Sequence, residues 1–237
     1  MTPKSNTPVA ELSTECATAR LPPRERILSV ARDLFYQRGI RAVGVEEIAD
    51  AAGTNKMTLY RHFASKDELI AECLRASAEE ANAGWDKIAA AHKGNPRAEL
   101  SAWLANMADH ILAADGHGCA LANAAVELKE DNHPARRVIE EVKCAQRNRL
   151  VRLCDAARLQ EPEFLADELF LLLEGARISA QSVGRGGPAA RLVRMGEAVI
   201  ASHAGLNAPS RRRPITPRPC APHRCRSGAR CSRSRCS

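Results

Sequence analysis

The sequence predicts an all-α fold, and three observations carry that reading. Stretches alternating polar and apolar residues with period two are nearly absent, while Ala, Leu, Glu and Arg recur at helical spacing along most of the chain. Glycines, prolines and capping residues interrupt that pattern about one helix length apart. The 237 residues, 45% hydrophobic and 27% charged, suffice for one sizeable core or two modest domains.

Ile27, Val30, Ala31, Leu34 and Phe35 fit the i, i+3, i+4, i+7, i+8 template, and Gly39 comes after Arg38 as a stop, which places a first helix at residues 24–38. Two short helices, 46–52 and 55–63, flank Gly53, and so tight a connection makes them cross steeply. Ser65-Lys66-Asp67-Glu68 forms a capping box that opens a long fourth helix, 66–91. Pro96 starts a fifth, which runs to about residue 114 and ends at Asp115-Gly116-His117-Gly118. A short helix at 120–128 precedes a long one, opened by His133-Pro134 and reaching Arg158. Pro162 begins the eighth, which carries Leu165, Leu169, Leu172, Leu173 and Ala176 as one stripe and stops at Gly184. A ninth helix spans 189–203.

Charge separates these helices from the C-terminal tail. The formal charge is +7, but residues 208–237 hold nine arginines and no acid, so residues 1–207 are left at −2. Residues 1–66 carry ten Lys or Arg against seven Asp or Glu, +3, and residues 67–207 therefore carry −5. A mildly basic head is joined to an acidic body. The tail has five prolines and little apolar content, so it is expected to be disordered. Its Arg, Pro and Cys bias resembles either an out-of-frame translation of a GC-rich gene or a nucleic-acid-binding arm. The expected divisions are a flexible arm at 1–23, a basic helical head at 24–66, an acidic helical body at 67–207, and the tail at 208–237.

Several classes are set aside. The longest apolar run is Leu169 to Leu173, far short of a membrane span, and the N-terminal stretch lacks the apolar core of a secretory signal, so a cytoplasmic protein is expected. Neither a serine-nucleophile elbow, a zinc-protease motif nor a phosphate loop is present, and no enzyme is expected. The tail cysteines Cys220, Cys225, Cys231 and Cys236 lack a C-x-x-C pair, and His117-x-Cys119 stands without further ligands nearby. No metal, cofactor or disulfide in the body is expected.

The segment from Gly44 to Leu69 has the composition of a helix-turn-helix. Ile48 and Ala49 are placed to pack under the second short helix, Ala52 and Gly53 to permit a close crossing, and Leu59 and Phe63, four apart, to point inward. The opposite face is then free. A recognition helix enters the major groove by its first turn, which brings Lys56, Met57 and Thr58 nearest the base edges, with Tyr60, His62 and Lys66 flanking the phosphates. Lysine donates to guanine acceptors, and methionine touches a thymine methyl.

The run Ala-Gly-Thr-Asn-Lys-Met-Thr-Leu-Tyr-Arg-His-Phe, continued by Ser-Lys-Asp-Glu-Leu after one residue, resembles the signature of the TetR family of bacterial transcriptional regulators. With the first helix, the resemblance covers roughly residues 24–74, and the remainder resembles the family's divergent ligand-binding domain. Gly118-Cys119, Asn123-Ala-Ala-x-Glu127 and His133-Pro134 resemble one recurrent subtype. The resemblance implies a homodimer that represses its targets at double-stranded operator DNA until a small molecule binds, and extends the DNA-binding role to Asn55 and Arg61. This chain departs from the family in Val45, where a capping Thr or Ser is usual, in Met57, and in Glu46, which repels phosphate.

In the body, Trp103, Met107, His110, Cys119, Asn123 and Arg177 are candidates to line an effector pocket, with His117, Glu127 and Gln181 beside them. Only eight aromatics occur, which counts against an aromatic cage for a cation. The leucine stripe of the eighth helix suits either a four-helix dimer interface with the ninth or an internal core. A second functional reading remains open: a non-specific nucleic-acid binder acting through the arginine tail.

Overall fold

The computed structural model describes residues 21–113, 117–130 and 132–204. Among them the chain forms nine α-helices: α1 Pro23–Arg38, α2 Val45–Ala51, α3 Lys56–His62, α4 Lys66–Ala91, α5 Pro96–Ala113, α6 Ala120–Glu127, α7 Pro134–Ala156, α8 Pro162–Val183 and α9 Leu192–Ser202. The all-α expectation holds, and no strand occurs among the described residues. The expected disordered tail, and all but three residues of the expected arm, lie outside the described residues. No helix among those described is long and apolar enough to cross a membrane.

Two helix ends differ from the sequence expectation, each for a local reason. α7 stops at Ala156 rather than Arg158 because Arg158 turns left-handed (φ 56°) and the next amide, Leu159 N, donates back to the Cys154 carbonyl. The ninth helix opens as a 3-10 turn, Pro188–Arg191, before α9 begins.

The helices enclose two apolar cores. The first gathers Ile27, Ala31 and Phe35 of α1, Ile48 of α2, Leu59 of α3 and Phe63, and continues into Leu69, Ile70, Cys73 and Leu74 at the start of α4. Leu121 and Ala124 of α6 and Ala135, Val138 and Ile139 of α7 close it. The boundary expected between residues 66 and 67 therefore runs through this core. The second core joins Trp85, Leu100, Trp103, Leu104, Leu150, Cys154, Leu165, Leu169, Leu173 and Leu192. α4 and α7 run through both cores, so they tie the head to the body.

Of the two readings of the eighth helix's leucine stripe, the structure shows the internal core. Leu165, Leu169, Leu173 and Ala176 lie inside the chain's own core. The exposed side is the heptad-spaced set Phe164, Leu171 and Ile178, at 57%, 71% and 53% exposure, joined by Val183 and by Met195 of α9. The stripe of four-residue spacing faces inward because α8 is clasped by α5, α7 and α9.

Close packing of α9 requires Gly196. A Cβ there would lie 2.4 Å from Leu104 Cδ2, and Leu104 is itself buried and hemmed in. Gly196→Ala is therefore expected to lower stability by about 1–3 kcal/mol through overpacking, despite alanine's better helix propensity, as read by chemical denaturation.

Candidate nucleic-acid interface and cavity

α2 and α3 have seven residues each, too short to persist alone, and are held by what they bury. Ile48, Ala49, Leu59 and Phe63 are each at most 1% exposed. Arg26 of α1 donates from Nε to the Ala52 carbonyl at 3.1 Å, satisfying the end of α2, and the Arg24 guanidinium lies 5.1 Å over the Phe63 ring. Gly53 adopts φ 61°, and a Cβ there would meet nothing within 4 Å. It is the turn's dihedral that needs glycine, then; the close crossing comes from buried Ala52.

Most of the residues expected at DNA share the outer side of α3. Asn55 caps that helix, its Oδ1 accepting from the Thr58 amide at 2.9 Å, a role the sequence expectation missed although Asn before a short helix is a capping signal. Met57 stands 71% exposed, Lys56, Tyr60, Arg61 and His62 are exposed, and Thr58 is half-buried on the same leading turn. Lys56 Nζ donates to Glu46 Oε1 at 2.9 Å on open surface, and this bond raises the ammonium's pKa. Glu46 thus partners the cation nearest the groove.

Lys66, expected at a phosphate, is engaged within the fold. Its Nζ donates to the Ile40 carbonyl at 2.8 Å and lies 5.8 Å from the centre of the Phe35 ring, and burial lowers its pKa. That contact offsets the cost of a cation in a helix's first turn. Ser65 accepts from the Glu68 amide at 3.1 Å, as the capping box requires.

Glu127, at the end of α6, grips the turn after α1. Its Oε2 accepts from the amides of Ile40 (2.8 Å) and Arg41 (3.1 Å), and its carbonyl accepts from Arg41 Nε at 3.0 Å. Before α6, the Tyr36 hydroxyl donates to the Gly118 carbonyl at 3.0 Å, and Asn123 Nδ2 donates to the His117 carbonyl at 2.5 Å. His133 caps α7 by accepting from the Ala135 amide at Nδ1, which leaves the Nε2 proton directed at Asp67, 3.3 Å away on α4. The segment from His117 to His133 is thereby fastened to the head at several points.

A cavity of about 470 Å³ lies beside these contacts, in the range that encloses a small organic ligand. All six residues proposed from the sequence line it: Trp103, Met107, His110, Cys119, Asn123 and Arg177. Glu127 does too, whereas the His117 ring lies tilted against Tyr36, centroids 5.5 Å apart, and Gln181 packs against Gly118. Missed were Lys143, Glu174 and an aromatic wall. Five of the eight aromatics, Phe35, Tyr36, Trp85, Trp103 and Phe170, converge here from four helices, so their overall scarcity was a poor guide to local density. Of the described cysteines, Cys73, Cys119 and Cys154 are free, and burial pushes the thiols of Cys73 and Cys154 up to about 12.

An all-α chain with an outward-facing second helix in a helix-turn-helix has the architecture of a DNA-binding protein. Residues 27–73 match the family described as bacterial regulatory proteins, tetR family. Over 52 residues the chain is 48% identical to the HTH-type transcriptional repressor KstR2 of Mycobacterium tuberculosis, 22% of this chain and 26% of that one. Over 59 residues it is 48% identical to the HTH-type transcriptional activator FasR of Mycolicibacterium smegmatis, 24% of this chain and 27% of that one. These matches span about a quarter of the curated relatives' length. Among solved structures, a TetR-family regulator of Streptomyces coelicolor superposes with a TM-score of 0.71 at 24% identity, covering 80% of this chain and 97% of that one. A TetR-type regulator of Streptomyces avermitilis gives 0.68 at 28% identity, covering 77% and 98%. Residues 27–73 thus carry a likeness to TetR-family transcriptional regulators, and the described helices share the fold of the TetR-family structures.

The Lys66 contact separates a structural from a DNA-binding role. Lys66→Met leaves the Ile40 carbonyl without this donor and is expected to cost about 1–3 kcal/mol of stability. The salt dependence of DNA binding should be unchanged; a phosphate contact would instead lower the slope by about one unit.

Proposed function

We propose that the chain is a homodimeric repressor that holds a near-palindromic operator and leaves it when a small molecule fills the cavity. One observation supports the reading: Leu59 of α3 and Phe63 just after it are buried while Lys56, Met57 and Thr58 face outward, so the leading turn is not covered by any of the described residues. These three residues read base edges, and Asn55, Tyr60, Arg61 and His62 meet backbone oxygens. Residues 24–66, with the first turns of α4, form the DNA-reading unit, and the rest of 67–207 forms the effector and dimer unit.

The exposed face of α8 and α9 supports dimerisation through the last two helices, because a self-complementary apolar patch is what a two-fold interface needs. Two-fold symmetry sets the recognition helices about one DNA turn apart, or a multiple of it. Release is supported by α6. Cys119 and Asn123 flank the cavity, while Glu127 and the Gly118 carbonyl hold the turn after α1 and Tyr36. A ligand that displaces α6 pulls on α1 and shifts α3; a coupling of about 1–3 kcal/mol suffices for a 5- to 150-fold loss of affinity. Repression is favoured by the KstR2 likeness, and the equal identity to FasR, an activator, makes the direction of regulation a question for measurement.

The Arg-rich tail supports non-specific binding as a second reading, which a variant of the leading turn tests. Lys56→Ala is expected to change which base pairs are preferred, at a cost of about 1–3 kcal/mol, in binding-site selection from random duplexes. A uniform loss across all sequences would point to a phosphate contact instead.

A further inference from the structure

The cavity also constrains the chemistry of its ligand. Two buried side-chain N–H groups in its lining, Trp85 Nε1 and Arg177 Nε, have no hydrogen-bond partner among the described residues. Unsatisfied buried donors are uncommon, and both belong to side chains that line the cavity. Arg177 Nη2 reaches only the thioether of Met107, 3.9 Å away, which is a weak acceptor.

Charge around that wall points the same way. Glu174 Oε1 takes Lys143 Nζ at 2.7 Å, and Arg177 Nε stands 3.6 Å from the same oxygen, so two cations share one carboxylate. One positive charge is left in excess at the inner end. Elsewhere Arg32 closes a two-point pair with Glu80 at 2.7 and 2.5 Å, Asp33 is solvent-exposed, and Glu127 is committed to the Ile40 and Arg41 amides. The aromatic wall does not select a cation either, because three of its rings already carry one from the protein: Lys66 over Phe35, Lys143 over Phe170 and Arg149 over Trp85.

We propose that the effector is an apolar carboxylate, its hydrocarbon body against Trp103, Leu150 and Leu173 and its carboxylate on Arg177. The proposal rests on the effector reading above for its biological meaning, but not for its test. Trp85 and Trp103 are the chain's only tryptophans and both line the cavity, so intrinsic fluorescence reports filling without DNA.

The full chain is titrated with decanoate, decan-1-ol and decylammonium, below their micellar concentrations. Decanoate is expected to bind roughly tenfold or more tightly than the alcohol, as a charge-assisted pair in a low-dielectric site allows, and decylammonium most weakly. Arg177→Met is expected to bring decanoate to the level of the alcohol measured on the same variant. If that variant does not fold, judged by thermal unfolding, the ranking on the unaltered chain decides. Decylammonium binding as tightly as decanoate, no decanoate binding at millimolar concentration, or an undiminished preference in Arg177→Met would overturn the assignment. Decanoate that binds as expected but leaves DNA affinity unaltered would instead overturn ligand-driven release and leave the ligand class standing.

Discussion

The structure turns on one shared apolar core. The small head cannot bury enough surface by itself: α2 and α3 contribute only a few large side chains, and α1 one stripe. Ile70 and Leu74 of α4, Leu121 of α6 and Val138 of α7 complete that core from the body side. The direction in which α3 presents Lys56 to Thr58 therefore depends on where α4, α6 and α7 sit. Because those same helices wall the cavity, the surface proposed to meet DNA and the space proposed to meet ligand are two sides of one packed unit, and interiors at crystal-like density transmit displacement rather than absorb it.

Polar contacts sharpen that dependence. Glu127 accepts two main-chain amides of the turn after α1, a charge-assisted arrangement stronger than an exposed ion pair. Lys66 answers the Ile40 carbonyl in the same turn, so residues 40 and 41 are held from α4 and α6 together. By contrast, the pairs on the outer face of the head, Lys56 with Glu46 and Arg38 with Glu47, are solvated and readily exchanged for a phosphate or base partner. Firm contacts face the body, and exchangeable ones face outward.

Much of this was legible in the sequence. Helix spacing, the Pro96, Pro134 and Pro162 starts and the Ser65 capping box placed nine helices with all ends but the start of the ninth within about two residues, since those signals are local. The TetR-like run gave the recognition helix, and six polar or bulky residues scattered over 75 positions proved to share one cavity. What escaped was set by tertiary packing. Lys66 looks like a free first-turn lysine until the Ile40 carbonyl is placed beside it. The leucines of α8 read equally as an interface or a core until α5 and α7 are seen to clasp them, and the heptad set Phe164, Leu171 and Ile178 had to be recognised by its exposure. The aromatic wall draws one or two residues from each of several distant segments, so no window of sequence contains it.

Genome-wide footprinting with the chain ended after Asn207 tests the central claim most directly, because it removes the arginine tail and leaves the recognition helix in place. Discrete protected sites are expected, each a near-palindrome whose two major-groove contacts lie about one DNA turn apart or a multiple of it. Protection that is diffuse, lacks two-fold symmetry or disappears with the tail would contradict the account.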